Sequence, residues 1–234
     1  PPRSTLFPYT TLFRSIPTIT RRERDASNGL SVPPRFELST LLQIMARPGW
    51  ALQTLVDGIP RFETMMPYAP KELSNDEQIK FLAGAINAHV TPEKLARLRS
   101  RWKGWLVIKG VLDTADAKLC VDSGADAIVV SNHGGRQLDA APHALDMLPL
   151  IREVVGPDLP LIVDGGIRSG LDVARAIACG ADFTLLGRAF ICATAAAGQA
   201  GCEHAMTFLK EELRHSMVQV GCEQLSDLPA HLLD

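Results

Sequence analysis

No uninterrupted apolar run in this sequence approaches the ~18 residues that mark a bilayer-crossing helix, so no transmembrane segment is expected. The five cysteines, Cys120, Cys179, Cys192, Cys202 and Cys222, are odd in number and never spaced C-x-x-C. That excludes a closed disulfide framework and favours a reducing, cytoplasmic setting. Cys120, Cys179 and Cys192 lie in apolar segments and are expected as small core residues. There is no excess of basic charge either: 24 Lys and Arg stand against 26 Asp and Glu, a net charge of -2. Nucleic acid is therefore not an expected partner. No internal repeat, low-complexity tract or linker divides the chain. His89 and His143 show no ligand spacing to His133, so a metal site is not expected. The first residue is proline rather than methionine, which suggests that the true start lies elsewhere.

What the chain does contain, from Trp105 onward, is a rhythm. Short apolar runs at 105–109, 126–130, 159–164 and 183–187 alternate with helix-like stretches around 113–123, 143–155, 170–179 and 189–199. Strands apolar on both faces, each followed by a helix, predict an α/β fold with a parallel sheet covered on both sides. Upstream, 91–102 reads as a helix capped by Thr91 with Pro92 in its first turn. A second helix is expected to carry Leu38, Leu41, Leu42 and Met45 on one face and to break at Arg47-Pro48-Gly49. A C-terminal helix is expected over 203–220.

Polar residues cluster where the four strands end. Lys109 closes the first, Ser131 to Arg136 follow the second, Asp164 to Arg168 the third, and Gly187-Arg188 the fourth. In a (β/α) barrel these clusters meet on one rim, where such folds keep their active sites. An open doubly wound sheet also binds ligands at its carboxyl ends, so convergence alone does not choose between them.

"DGGIRSG" (164–170) and "LLGRAF" (185–190) have the makings of a phosphate cradle. Glycines after a strand let the backbone approach an anion, and the helix that follows offers free N–H groups. Arg168 and Arg188 add charge-assisted donors. Two ordinary βα turns are the alternative, less favoured because both carry a glycine-arginine group. In "VVSNHGGRQLD" (129–139), His133 has the chemistry of a general base and Arg136 that of a carboxylate clamp; a loop histidine and a solvated arginine are the plainer account. Lys109, ending an otherwise apolar strand, either reaches out to solvent or meets an anion.

The stretches "SNHGGRQLD", "VIKG", "DGGIRSGLDVARAIACGAD" and "LLGRAF" together resemble the FMN-dependent α-hydroxy acid dehydrogenase and oxidase family. "RPGWALQTLVDG" and "RWKGWLVIKGVL" are most similar to its bacterial L-lactate dehydrogenase branch. The resemblance runs from about Arg21 to the C-terminus. It implies a (β/α)8 TIM barrel, here a truncated C-terminal half-barrel with 35–90 as the variable insert. It also implies FMN as cofactor and oxidation of an (S)-2-hydroxy acid, most simply L-lactate, to the 2-keto acid. On this resemblance His133 would be the catalytic base, and Arg136 and Arg22 would bind the substrate carboxylate. Lys109, Ser131, Asp164, Gly165, Gly166, Arg168, Gly187 and Arg188 would hold FMN. The acceptor would be a quinone or cytochrome, or oxygen in an oxidase; mandelate is an alternative substrate. A barrel isomerase that uses FMN without net oxidation is a further alternative, disfavoured by "SNHGGRQLD". Family members are commonly tetramers. Those that feed a respiratory chain dock on the inner face of the membrane through the segment matching 35–90. Here its leucines could serve that contact or pack as an ordinary surface helix, and scarce basic residues weigh against anionic lipid.

"TLFPYTTLFRS" (5–15) fits neither a targeting peptide nor a strand. It back-translates into a widely used sequencing-adapter oligonucleotide, so residues 1–15 are expected to be an artefact and 16–234 the enzyme portion. With Pro17 aligned on the family's Val-Asp-Thr-Pro-Val, the aspartate that pairs with the catalytic histidine falls on Ser15, and Thr20 replaces a glycine. A half-barrel with open sheet edges is expected to bind FMN weakly or not at all and to be inactive alone.

Overall fold

A computed structural model describes residues 37–58, 64, 66–70, 72–74, 77–78, 81, 90–136, 138 and 140–232. The adapter-like stretch, the segment at 21–34 and Arg22 lie outside the described residues. The chain divides into two units, 16–88 and a second one holding 89–234.

In the first unit, α1 (Leu38–Met45) forms where expected, and α2 (Pro48–Asp57), which was not expected, follows it, parted at Arg47 by the proline that opens α2. The leucine face of α1 is not its buried one. Thr40 is almost fully buried, whereas Leu38 and Met45 are 74% and 66% exposed. Leu55 and Val56 of α2 are also exposed.

In the second unit α3 (Pro92–Arg101) starts on the Thr91 hydroxyl, which accepts from Lys94 N–H. Then come β1 (Val107–Val111), α4 (Thr114–Asp122), β2 (Ala127–Ser131), α5 (Ala144–Val155), β3 (Leu161–Asp164), α6 (Gly170–Ala178), β4 (Phe183–Leu185) and α7 (Arg188–Val220). The strands are all parallel and lie in chain order, β1-β2-β3-β4. A doubly wound sheet reverses its strand order at a switch point. This sheet does not, so among the described residues it has the topology of an arc of a (β/α) barrel.

One sheet face is sealed by helices. Ile108, Val111, Ile128, Val130, Leu161 and Val163 pack against Ala117, Cys120, Leu148, Ile151 and Ala176. Burial of this apolar layer at about 25 cal/mol per Å2 is the main stabilising term. Alternation puts Lys109, Val129, Ser131, Ile162 and Asp164 on the other face. Beyond Lys109 the ladder slips, because Gly110 forms a bulge at φ 93°. Val111 therefore pairs with Val130 in the helix-covered layer rather than sharing the face of Lys109.

The opposite ends of the strands carry a fastening that recurs, although no repeat is visible in the sequence. Arg99 of α3 donates to Gly124 O (3.2 Å) and Asp126 (2.8 Å), and Asp126 accepts from Leu106 N–H at 2.7 Å. Arg152 of α5 donates to Gly180 O (2.8 and 3.0 Å) and Asp182 (2.5 Å), and Asp182 accepts from Leu161 N–H at 2.7 Å. In each case the aspartate N–H returns a bond to the same leucine's carbonyl at 2.8 Å. The two Gly-Ala-Asp triplets thus do the same job two βα units apart, ahead of β2 and of β4.

Two expectations are revised. Cys192 is exposed, while Cys120 is buried and Cys179 intermediate. The helices expected at 189–199 and 203–220 run on as α7, kinked where Ala197 and Gly198 leave helical geometry. No helix among the described residues is long and apolar enough to cross a membrane.

Candidate active site

The four polar clusters meet at the carboxyl ends of the strands. A cleft of about 240 Å3 is lined by Lys109, His133, Arg136, Asp164, Gly165, Gly166, Arg168, Gly187 and Arg188, with Gly134, Leu185, Leu186 and Ile191. Every described candidate of the sequence analysis lines this cleft except Ser131, which is buried directly behind Lys109.

Strand register explains the meeting. Lys109 stands opposite Val129, and Ser131 opposite Asp164, so the three polar side chains share one face. Lys109 Nζ donates to Ser131 Oγ at 3.2 Å and forms an ion pair with the Asp164 carboxylate. The lysine thus meets an anion of its own chain. Burial pushes its ammonium below the ordinary lysine value. The second carboxylate oxygen, Asp164 Oδ1, is buried with no hydrogen-bond partner in the structure. A buried acceptor without a donor is costly, and a hydroxyl entering the cleft would relieve it.

The loop after β2 is held by side chains from within. Ser131 Oγ accepts from His133 N–H at 3.0 Å, and Asn132 Oδ1 accepts from Gly134 N–H at 2.9 Å. His133 adopts φ 57°, the one positive value at a non-glycine position among the described residues. Arg188 reaches back from the end of β4 to donate to Gly134 O at 3.3 Å.

After β3, Gly165 and Gly166 run at φ 98° and 85°. Neither could carry a side chain unchanged. A Cβ on Gly165 would come within 2.8 Å of Asn132 Oδ1, and one on Gly166 within 2.9 Å of His143 Nε2. The backbone is therefore bare on the cleft side. Gly187, at φ −104°, has open space beside its Cα, so what it contributes is room.

The helix expected to receive a phosphate is corrected here. The leading N–H groups of α6 are taken: Asp172 accepts from Arg168 N–H and Ser169 N–H, and Glu212 accepts from Gly170 N–H at 2.8 Å. By contrast, α7 begins at Gly187-Arg188 with no side-chain cap and no acid in its first turn. The positive helix end available to an anion is that of α7.

A bare glycine turn, an uncapped helix start, two arginines, and an unpartnered carboxylate oxygen fit a phosphate joined to a polyhydroxyl chain, which is what FMN presents. Among the described residues no cluster of three His, Cys, Asp or Glu is arranged to hold a metal. Asn132 and His143 were not expected at the site. An asparagine just before His-Gly-Gly is a signal for a side chain closing its own turn, whereas His143 approaches Gly166 only through the fold.

Comparison with known proteins agrees with this geometry. Residues 12–234 match the model of the FMN-dependent dehydrogenase family. An L-lactate dehydrogenase of Pectobacterium atrosepticum is 41% identical over 219 residues, covering 93% of this chain and 56% of that protein. One from Serratia proteamaculans is 42% identical over 213 residues, covering 91% and 56%. The chain thus spans little more than half the length of these relatives. Among solved structures, the monotopic membrane protein (S)-mandelate dehydrogenase superposes with a TM-score of 0.82 at 32% identity, over 92% of this chain and 57% of that one. A mandelate oxidase with (S)-4-hydroxymandelic acid gives 0.61 at 40% identity, over 68% and 45%. With a barrel arc, a cleft fitted to FMN and a family match over nearly all its residues, the chain belongs to the FMN-dependent dehydrogenases.

Proposed function

We propose that this chain supplies the catalytic and phosphate-binding residues of an enzyme that oxidises an (S)-2-hydroxy acid, L-lactate first, to the 2-keto acid. The observation that carries the reading is the gathering of Lys109, His133, Arg136, Asp164, Arg168 and Arg188 around one cleft. FMN, when bound, supplies the two-electron acceptor. Arg136 pairs with the substrate carboxylate; Arg22 is given the same role by the family resemblance alone. His133 accepts the proton that leaves as the carbinol is oxidised. Lys109, held by Ser131 and Asp164, presents a positive charge to the pyrimidine side of the cofactor. Asp164 Oδ1 accepts from a hydroxyl of its ribityl chain. Gly165, Gly166, Gly187, Arg168 and Arg188 receive its phosphate.

L-lactate is favoured by the named relatives. The superposed mandelate dehydrogenase supports an aromatic 2-hydroxy acid as the second reading. Its monotopic attachment, together with the exposed Leu38, Met45, Leu55 and Val56, supports a peripheral membrane contact and a membrane-borne acceptor. The family's tetramer is the expected assembly.

The test is to join the chain to the amino-terminal portion of an L-lactate dehydrogenase relative, titrate FMN by flavin fluorescence, then add L-lactate, mandelate or glycolate without oxygen. Bleaching of the oxidised flavin, first with L-lactate and abolished by His133→Gln, is the expected result. Since the chain alone spans just over half its relatives' length, by itself it is expected to bind FMN weakly or not at all and to leave the flavin unbleached. Flavin that binds but bleaches with none of the three acids would overturn the reading.

A further inference from the structure

We propose that Asn132, which does not line the cleft, is the positioning residue that sets where His133 presents its imidazole. The inference rests on the reading above that His133 is the base. A non-glycine residue at φ 57° is crowded at its Cβ, and such a conformation persists only where its surroundings over-determine it. Asn132 supplies that determination from two sides. Its Oδ1 accepts from Gly134 N–H at 2.9 Å, which closes the turn immediately beyond His133. Its Nδ2 donates to Pro142 O at 3.3 Å, tying the turn to the chain that leads into α5. Its Oδ1 also lies 2.8 Å from the point a Gly165 side chain would occupy, so the bare β3 turn leaves it space. Ser131 Oγ meanwhile holds His133 N–H.

The consequence is a division of labour. Ser131 ties the entry of the loop to Lys109, whereas Asn132 fixes its exit relative to the β3 turn. Shortening Asn132 lets the backbone at 133–134 relax toward negative φ. The Cα–Cβ direction of His133 then swings, and the ring changes place without any loss of a group that touches ligand.

The experiment uses the whole 234-residue chain with histidine labelled at Cε1, followed by NMR across pH. His133→Gln assigns the His133 signal. Asn132→Ala is expected to displace that signal and its titration midpoint, while the signals of His204, His215 and His231 stay in place and report an intact fold. Asn132→Ser retains an acceptor for Gly134 N–H but lacks the reach to Pro142, so its His133 signal is expected between parent and alanine; it also decides the matter should the alanine variant not fold. A His133 signal and midpoint that match the parent in the folded variant overturn the inference. With FMN and 2-hydroxy acid, and the chain joined to the amino-terminal portion of a relative, Asn132→Ala is expected to lower kcat about tenfold or more, a part of the 10²–10⁴ that acid–base catalysis supplies, with KM within about twofold. Full turnover by His133→Gln would sink the base reading itself. An inactive His133→Gln beside a fully active Asn132→Ala would sink only the role given to Asn132.

Discussion

Replacing Arg152 by alanine removes the fastening between α5 and the start of β4. The guanidinium donates to Gly180 O twice, to Gly156 O at 2.8 Å, to Leu159 O at 2.9 Å and to the Asp182 carboxylate. Its side chain is only 20% exposed. Hydrogen bonds to a charged group contribute about 1.5–3 kcal/mol each, but the losses do not add, because water reaches part of what is left. Asp182 is 53% exposed, which discounts the ion pair. The three carbonyls and the ordering of the loop at 156–159 then dominate, and the expected loss is about 3 kcal/mol. In a domain of this size that corresponds to a fall in Tm of roughly 6–12 °C. Urea melts followed by far-ultraviolet circular dichroism measure it, with the slope of the transition checked for constancy. Arg152→Lys keeps the charge but not the fork, and is expected to recover less than half. Arg99→Ala, acting on the equivalent triplet two βα units earlier, should add nearly independently in the double variant. A loss below about 0.5 kcal/mol for Arg152→Ala, the range of an ordinary surface change, would refute the claim that these contacts fasten the sheet.

Three further predictions follow from single contacts. Burial first, and the charge of Asp113 second, push the Asp116 carboxyl up to about 6; because its unfolded value lies near 3.9, the folded state holds an extra proton between about pH 4 and 6. Stability therefore declines as pH rises through that window and stays lower above it. Asp116→Asn should flatten this dependence and stabilise the chain above pH 6 by up to about 3 kcal/mol, and an unchanged pH profile of Tm would refute the assignment. Gly170→Ala would drive a Cβ to 2.1 Å from Leu213 N and 2.6 Å from Glu212 C, backbone atoms that cannot step aside. It should cost about 3 kcal/mol by forcing α6 off α7, and a thermal melt identical to the parent's would count against that packing. Arg188→Met should weaken FMN binding about tenfold or more through the lost phosphate contact, read by fluorescence titration; equal affinity would remove Arg188 from the phosphate site.

Much of the second unit was legible because its signals are local. The apolar runs at 105–109, 126–130, 159–164 and 183–187 announce parallel strands, and the glycines and charges at their ends announce a rim. The β1-β2-β3-β4 order was not legible from periodicity, which says that strands form but not which are neighbours; the family resemblance, by implying a barrel, supplied it. The start of α6 was misjudged for a related reason. Ser169 and Asp172 could have been recognised as a capping box, but Glu212 arrives at Gly170 from 42 positions downstream. The two arginine fastenings were hidden because Arg99 and Arg152 sit in helices of unlike sequence, and only the short Gly-Ala-Asp triplets repeat. On α1, spacing identified an apolar face but not whether anything covers it; Thr40 is the buried residue.

Those two fastenings sit at the amino ends of the strands, whereas the cleft occupies the carboxyl ends. The β1–β2 and β3–β4 pairs are each locked from below by their own arginine, and no bond of either lock passes through a residue lining the cleft. Selection on the rim is thereby uncoupled from selection on the base. The turns after β2, β3 and β4 are free to exchange substrates by altering length and chemistry, at little risk of unzipping the sheet that carries them.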